Sequence, residues 1–238
     1  AQVRPVLHSS CMKHVLFTLT IIATPLAAQA PFWTSEWPNT DFNNSAVAFT
    51  EILSGGPGKD GIPALNNPSY EPAESAAITP QEPVMTVELN GQARAFPIRY
   101  LMWHEIANTE VGGVPVAVTY CPLCNSGLVF DRRLDGQVLE FGVTGKLRYS
   151  DMIMFDRQTE SWWQQFTGEG IVGDMNGKKL VQLISWMEPM SAFVARNPNG
   201  EVMARPEAPR NYGTNPYAGY DSARTPFLYR GENPPHNI

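Results

Sequence analysis

Val84-Met85-Thr86-Val87-Glu88-Leu89-Asn90-Gly91-Gln92-Ala93-Arg94-Ala95-Phe96-Pro97-Ile98 is the stretch that sets the fold class. Two runs rich in apolar residues flank Asn-Gly, the dipeptide that best tolerates the positive φ of a tight hairpin turn. The spacing predicts strands over 84–89 and 93–98. Downstream, Ile98, Leu101, Met102, Ile106 and Ala107 recur at helical spacing and predict a short helix over 99–108, stopped by Gly112-Gly113. Residues 114–120 read as a strand running into Cys121-Pro122-Leu123-Cys124. Residues 126–132 and 137–143 flank Asp135-Gly136 and read as a second hairpin. Residues 152–155 and 162–166 read as a further pair joined by 156–161, with a strand over 179–184 and a helix over 188–196. The flanks, 31–80 and the part after Gly200, are rich in Pro, Asn and Gly and predict irregular chain, with a short helix at 46–53. The sum is an α+β domain: a β-dominated antiparallel sheet or partly open barrel, a few short helices and long irregular termini.

The 238 residues carry 17 basic and 23 acidic side chains, a net charge of −6. That balance argues against nucleic acid as the partner, because phosphate binding needs clustered Lys and Arg. Apolar residues at 43% suffice for a core. Met12-Lys13-His14, the apolar run 15–26 and Ala27-Ala28-Gln29-Ala30 read as a signal peptide over 12–30. The run is shorter than the roughly 20 residues a membrane span needs. Residues 1–11 precede the start methionine and read as an upstream extension of the gene model. The expectation is therefore a single secreted domain over 31–238 with its core at 84–196. It would be periplasmic or extracellular and free of the membrane once the leader is cut. Removing the leader leaves 15 basic and 23 acidic residues, net −8. It also leaves Cys121, Cys124, His104 and His236 as the only Cys and His residues.

Thr119-Tyr120-Cys121-Pro122-Leu123-Cys124-Asn125-Ser126 is the strongest chemical signal. Cysteines two residues apart in a tight turn set two sulfurs side by side, and three chemistries stay open. The thiolates can chelate a soft or borderline metal. They can cycle between dithiol and disulfide. They can form a static disulfide that braces a binding or scaffold domain. Asn125 stands where covalent haem attachment needs His. A second cysteine pair for structural zinc is missing. A redox Cys-X-X-Cys normally opens a helix, whereas 125–130 reads as strand. His104, in Trp103-His104-Glu105, is the only core histidine and completes a candidate metal set of Cys121, Cys124 and His104, with copper as the expected ion. Glu105 or Asn108 would orient the ligands by hydrogen bonds. If the pair is redox-active instead, Cys121 and Cys124 are the reacting groups.

Other features have plainer readings beside the functional one. Met102, Met152 and Met154 can add a thioether but fit core packing better. Asp131, Asp151, Asp156, Glu160 and Glu169 can supply an acid–base pair, though such residues mostly cap turns or face solvent. Trp162, Trp163 and Trp186 can stack on sugars or simply pack. Arg99, Arg148 and Arg157 can clamp an anion or pair with acids. The loop Gly55-Gly56-Pro57-Gly58-Lys59-Asp60-Gly61-Ile62-Pro63 matches neither phosphate-binding fingerprint, so no nucleotide cofactor is expected. No serine is flanked as a nucleophile elbow requires. A protein partner is compatible with these features, but none names one.

Several stretches resemble the prokaryotic domain-of-unknown-function family 3179. They are Gly58-Lys59-Asp60-Gly61-Ile62-Pro63-Ala64-Leu65, Trp103-His104-Glu105-Ile106, Val118–Ser126 with its two cysteines, Asp156-Arg157-Gln158-Thr159-Glu160-Ser161, Trp163-Gln164-Gln165-Phe166-Thr167-Gly168 and Asn215-Pro216-Tyr217. The likeness spans about 54–220. Within Leu147-Arg148-Tyr149-Ser150-Asp151, Tyr149 stands where the family pattern has Asn. The resemblance implies a secreted domain and carries no activity with it.

Overall fold

A computed structural model describes residues 33–224 together with 226 and 228. The leader (12–30), the stretch 1–11 and His236 lie outside the described residues.

Three five-stranded sheets form the body. In the first, the strands run Ser185–Pro189, Pro83–Leu89, Gln92–Pro97, Glu201–Met203, Tyr70–Pro72 across the sheet. In the second they run Gln182–Leu183, Ser126–Asp131, Val114–Cys121, Ile106–Val111, Leu65–Asn66. In the third they run Ile52–Ser54, Phe141–Arg148, Asp151–Asp156, Trp162–Gln164, Glu169–Val172. Pairing is antiparallel except where Glu201–Met203 meets Gln92–Pro97 and Leu65–Asn66 meets Ile106–Val111. The sheets do not close into a barrel.

Strand alternation explains the stacking. In the central sheet Val116, Val118 and Tyr120 join Met85, Val87 and Phe96 of the first sheet in one core. Ala117 and Cys121, on the opposite face, join Phe141, Val143, Met152 and Met154 of the third. The central strand is therefore apolar on both faces, as a layer buried on both sides requires. Phe193 and Met190 of the Met190–Arg196 helix cover the outside of the first sheet against Val84, Ala95 and Val202. Trp33, Trp37 and Phe42 cover the outside of the third against Ile153, Phe155 and Trp162.

The α+β, strand-dominated expectation holds, and so does the Asn90-Gly91 hairpin, whose turn residues have φ of 49° and 81°. Several boundaries differ. The helix is Ile98–His104 and stops at Glu105, whose φ is 58°; Ile106–Val111 is strand. Apolar residues at 98, 101, 102 and 106 satisfy a helix, but the chain turns before the last of them. Of residues 126–132, only Arg132 bonds across Asp135-Gly136, its carbonyl accepting from the Leu139 N–H at 2.8 Å. Ser126–Asp131 pairs with Val114–Cys121, and the Asp135-Gly136 turn closes only the ribbon Arg133–Leu134/Gln137–Val138. The 179–184 strand shrinks to Gln182–Leu183, and Glu188-Pro189 ends a strand before the second helix. The 46–53 segment is the 3-10 turn Phe49–Glu51 followed by strand. No helix among the described residues is long and apolar enough to cross a membrane.

Candidate metal centre

The Cys-X-X-Cys segment is the connection of an antiparallel pair in which Cys121 lies opposite Ser126. Asn125 takes φ of 49°, a value its short polar side chain tolerates, and Tyr120 Oη donates to its Oδ1 at 2.9 Å. This reversal swings Cys124 back over Cys121: Cys124 Sγ lies 4.0 Å from the Cys121 carbonyl oxygen and 3.0 Å from Ser126 Oγ. Neither cysteine is bridged; Cys121 is buried and Cys124 exposed.

A second hairpin meets this turn. Phe141–Arg148 and Asp151–Asp156 are joined by Tyr149-Ser150, with φ of 54° and 62°. The Ser150 carbonyl oxygen is 3.8 Å from Cys121 Sγ. Asp151 follows, buried, with its carboxylate fixed on one side. Gln164 Nε2 and, at 2.9 Å, the Phe166 N–H donate to Oδ2. Oδ1 faces Cys124 Sγ at 3.4 Å. The Cys121 sulfur, the Cys124 sulfur and an Asp151 oxygen all lie within 4.8 Å of one another. Two sulfurs and one oxygen at that spacing form a cluster that could hold a metal ion.

The surroundings are acidic. Burial pushes the Cys121 thiol well above its usual range, and the hydrogen bond to Cys124 and the negative charge of Cys124, Asp151 and Glu105 push it further. Burial also raises Asp151, against the hydrogen bonds from Gln164 and Phe166. Glu105 is fully buried, and its carboxyl is pushed up to about 8 by desolvation; the Tyr217 hydroxyl opposes this and Asp151 adds to it. Tyr217 Oη donates to Glu105 Oε1 at 3.4 Å. The strong acid suppression here arises from burial and like charge together.

His104 does not join the sulfurs. Its Nδ1 donates to the Pro63 carbonyl at 2.7 Å, and its Nε2 accepts from Tyr212 Oη at 2.6 Å. Burial lowers its pKa, the Pro63 bond opposes this and Arg210 adds to it, so the neutral ring stitches two distant segments onto the helix end. The candidate set Cys121, Cys124, His104 is thus split: the two cysteines converge, and Asp151 stands where the imidazole was expected. Asn108 is likewise structural, accepting from the Phe141 N–H at 2.9 Å and donating to the Phe141 carbonyl at 2.8 Å.

The remaining candidates are absorbed by the fold. Met152 and Met154 are core residues, and Met102, within the Ile98–His104 helix, packs partly buried against the core. Asp131 pairs with Arg133, Glu160 with Lys59 and Glu169 with Lys179. Asp156 accepts from Thr159 and from Trp163 Nε1 within its turn. Trp162 and Trp163 are buried; Trp186 is partly exposed beneath Arg196. Arg99 pairs with Glu82, Arg148 with Glu51, and Arg157 with Asp60 and Glu140. Sequence reasoning ranked Asp151 only as one acid among five, and it missed Gln164 and Tyr217. The usable signal was the segment Leu147–Asp151, quoted above for its family likeness.

No curated protein and no solved structure matches the chain. A family model matches residues 59–237. That match takes in both cysteines, Asp151, Glu105 and every residue that orients them, so the chain belongs to the family described as "Protein of unknown function (DUF3179)".

Proposed function

We propose that this protein binds one transition-metal ion through the thiolates of Cys121 and Cys124 and Oδ1 of Asp151. The observation that carries the reading is the convergence of three donor atoms from two separate hairpins within 4.8 Å. The charge balance supports it. The charges acting most strongly on Cys121 are negative, and a cation is what lets its thiol ionise. The sequence pointed to copper. With a carboxylate oxygen replacing the imidazole, the set suits a borderline divalent ion such as zinc, with Cu(I) as competitor on the two sulfurs. Gln164 and the Phe166 N–H hold the carboxylate so that Oδ1 is presented to the ion. The leader-like segment at 12–30 supports a place for this centre outside the cytoplasm.

A thiol–disulfide cycle is less well served. Attack needs a thiolate, and burial, with the Cys124 hydrogen bond and the Asp151 carboxylate beside it, keeps Cys121 protonated.

The test is reconstitution of reduced protein with zinc, cobalt or Cu(I), followed by metal analysis and the thiolate-to-cobalt charge-transfer band. Stoichiometric binding, weakened at least about 100-fold in Cys121→Ser and about 10-fold or more in Asp151→Asn, is expected. His104→Ala should keep the metal and lose stability. Binding below about a tenth of an equivalent with every ion, or equal binding in Cys121→Ser, would reject the reading.

A further inference from the structure

A cavity of about 80 Å³ adjoins the cysteine cluster. Ile62, Leu123, Val143, Leu147 and Met152 give it apolar walls, and Glu105 and Tyr217 bring it a carboxyl and a hydroxyl. It shares its boundary with the cluster: Leu123 stands between the two cysteines and Met152 follows Asp151. Lys146 also borders it, but its ammonium is held by Glu36 at 3.0 Å.

Glu105 is placed there against its backbone preference. It has φ of 58° and ψ of −31°, a conformation that costs a non-glycine residue about 1–2 kcal/mol. Two hydrogen bonds enforce it. The Glu105 N–H donates to the Leu101 carbonyl at 2.7 Å, and the Glu105 carbonyl accepts from the Tyr120 N–H at 2.8 Å. A strained residue that carries a buried carboxyl to the wall of an apolar cavity is how a fold presents one polar contact to a small guest.

We infer that this cavity is a binding site for a small neutral molecule with an apolar body and one hydrogen-bonding oxygen, which the Glu105 carboxyl recognises. A cavity of about 150 Å³ accepts benzene with its six non-hydrogen atoms, so this one encloses about three, and a guest of four or five extends into its mouth. Short ketones and alcohols are that class. Burial keeps the Glu105 carboxyl protonated at neutral pH, so it donates its O–H to the guest's oxygen. An organic anion finds no unpaired cation among the lining residues, and an amine would lose its hydration against a neutral acid. The site stands on its own walls and does not depend on the metal reading, so protein that takes up no metal can still pass the test. A guest here would sit beside Cys121 and Asp151.

The experiment titrates reduced protein with 2-butanone, propionate and sec-butylamine, reading the methyl shifts of Met152 and Leu147. Saturable shifts with 2-butanone are expected, with binding about tenfold weaker in Glu105→Leu. Ile62→Trp, which fills the cavity from its rim, should abolish them. Glu105→Gln retains a donor and should stay within about threefold of the parent, which keeps the test open if the Leu variant fails to fold. Absent saturation, unchanged shifts in Ile62→Trp, or propionate or the amine binding as tightly as 2-butanone would overturn the proposal.

Discussion

Two buried polar clusters border the third sheet, and they are built on opposite principles. Around Lys146 and Lys59 every charge is answered. The Lys146 ammonium lies 3.0 Å from Glu36 and 5.4 Å and 5.7 Å from the ring centroids of Trp33 and Trp37. Lys59 lies 2.6 Å from Glu160 and 4.7 Å from the Trp37 ring. Burial would raise the carboxyls of Glu36 and Glu160, yet the lysine contacts outweigh it and hold both below the usual range. Around Cys121 the same contest ends the other way. Burial wins at Asp151 and Glu105, and the nearby charges are of one sign. A chain that balances one buried site and leaves its neighbour unbalanced is what the proposed metal centre requires of the second.

That contrast can be broken at three points, in descending size of effect. Glu105 binds a proton in the folded state between about pH 4.5 and 8 that the unfolded chain has released, so unfolding free energy falls as pH rises through that window and levels off above it. The loss is on the order of 5 kcal/mol. Urea midpoints of Glu105→Gln should lack this component, and parallel pH profiles for parent and variant would remove Glu105 from the unbalanced set. In the balanced cluster, Glu36→Gln removes the charge opposite the Lys146 ammonium and leaves it ring faces and a neutral amide oxygen. A fall of about 2 kcal/mol is expected, less than for a fully enclosed pair because Glu36 is 33% exposed. Lys146→Met added to Glu36→Gln should recover most of it; an unchanged midpoint in the single variant would show that the pairing is idle. The smallest change is Gln164→Leu, which frees the Asp151 carboxylate to rotate. Metal affinity should drop about tenfold while the thiolate-to-cobalt band keeps its intensity, and an unaltered affinity would sharpen the site down to the two sulfurs.

How much of this could be read from the sequence depended on whether the determining forces were local. The Asn90-Gly91 hairpin was legible because its turn chemistry is carried by the two turn residues themselves. The Tyr149-Ser150 turn was not. Its φ values of 54° and 62° belong to a tyrosine and a serine, which have no preference for positive φ, so the placement of Asp151 went unread. Asp135-Gly136 correctly marked a reversal, but a turn dipeptide says nothing about how far the ribbon continues. Cys121 and Cys124 were legible because their approach is fixed by a four-residue connection. His104 was legible as the only core histidine and was read as a metal ligand, because its true partners Pro63 and Tyr212 are 41 and 108 residues away, too far for spacing to reveal. Glu105 read as a helix residue that would orient metal ligands, and the Tyr120 pairing shows why the helix breaks there.

The strand Glu201–Met203 lies between Gln92–Pro97 and Tyr70–Pro72, two strands made far earlier in the chain. Until synthesis has passed residue 203, that layer has a gap in its middle and two exposed edges. Pairing of that layer therefore awaits a distant segment, a non-local contact of the kind that slows folding and keeps strand edges unpaired until late.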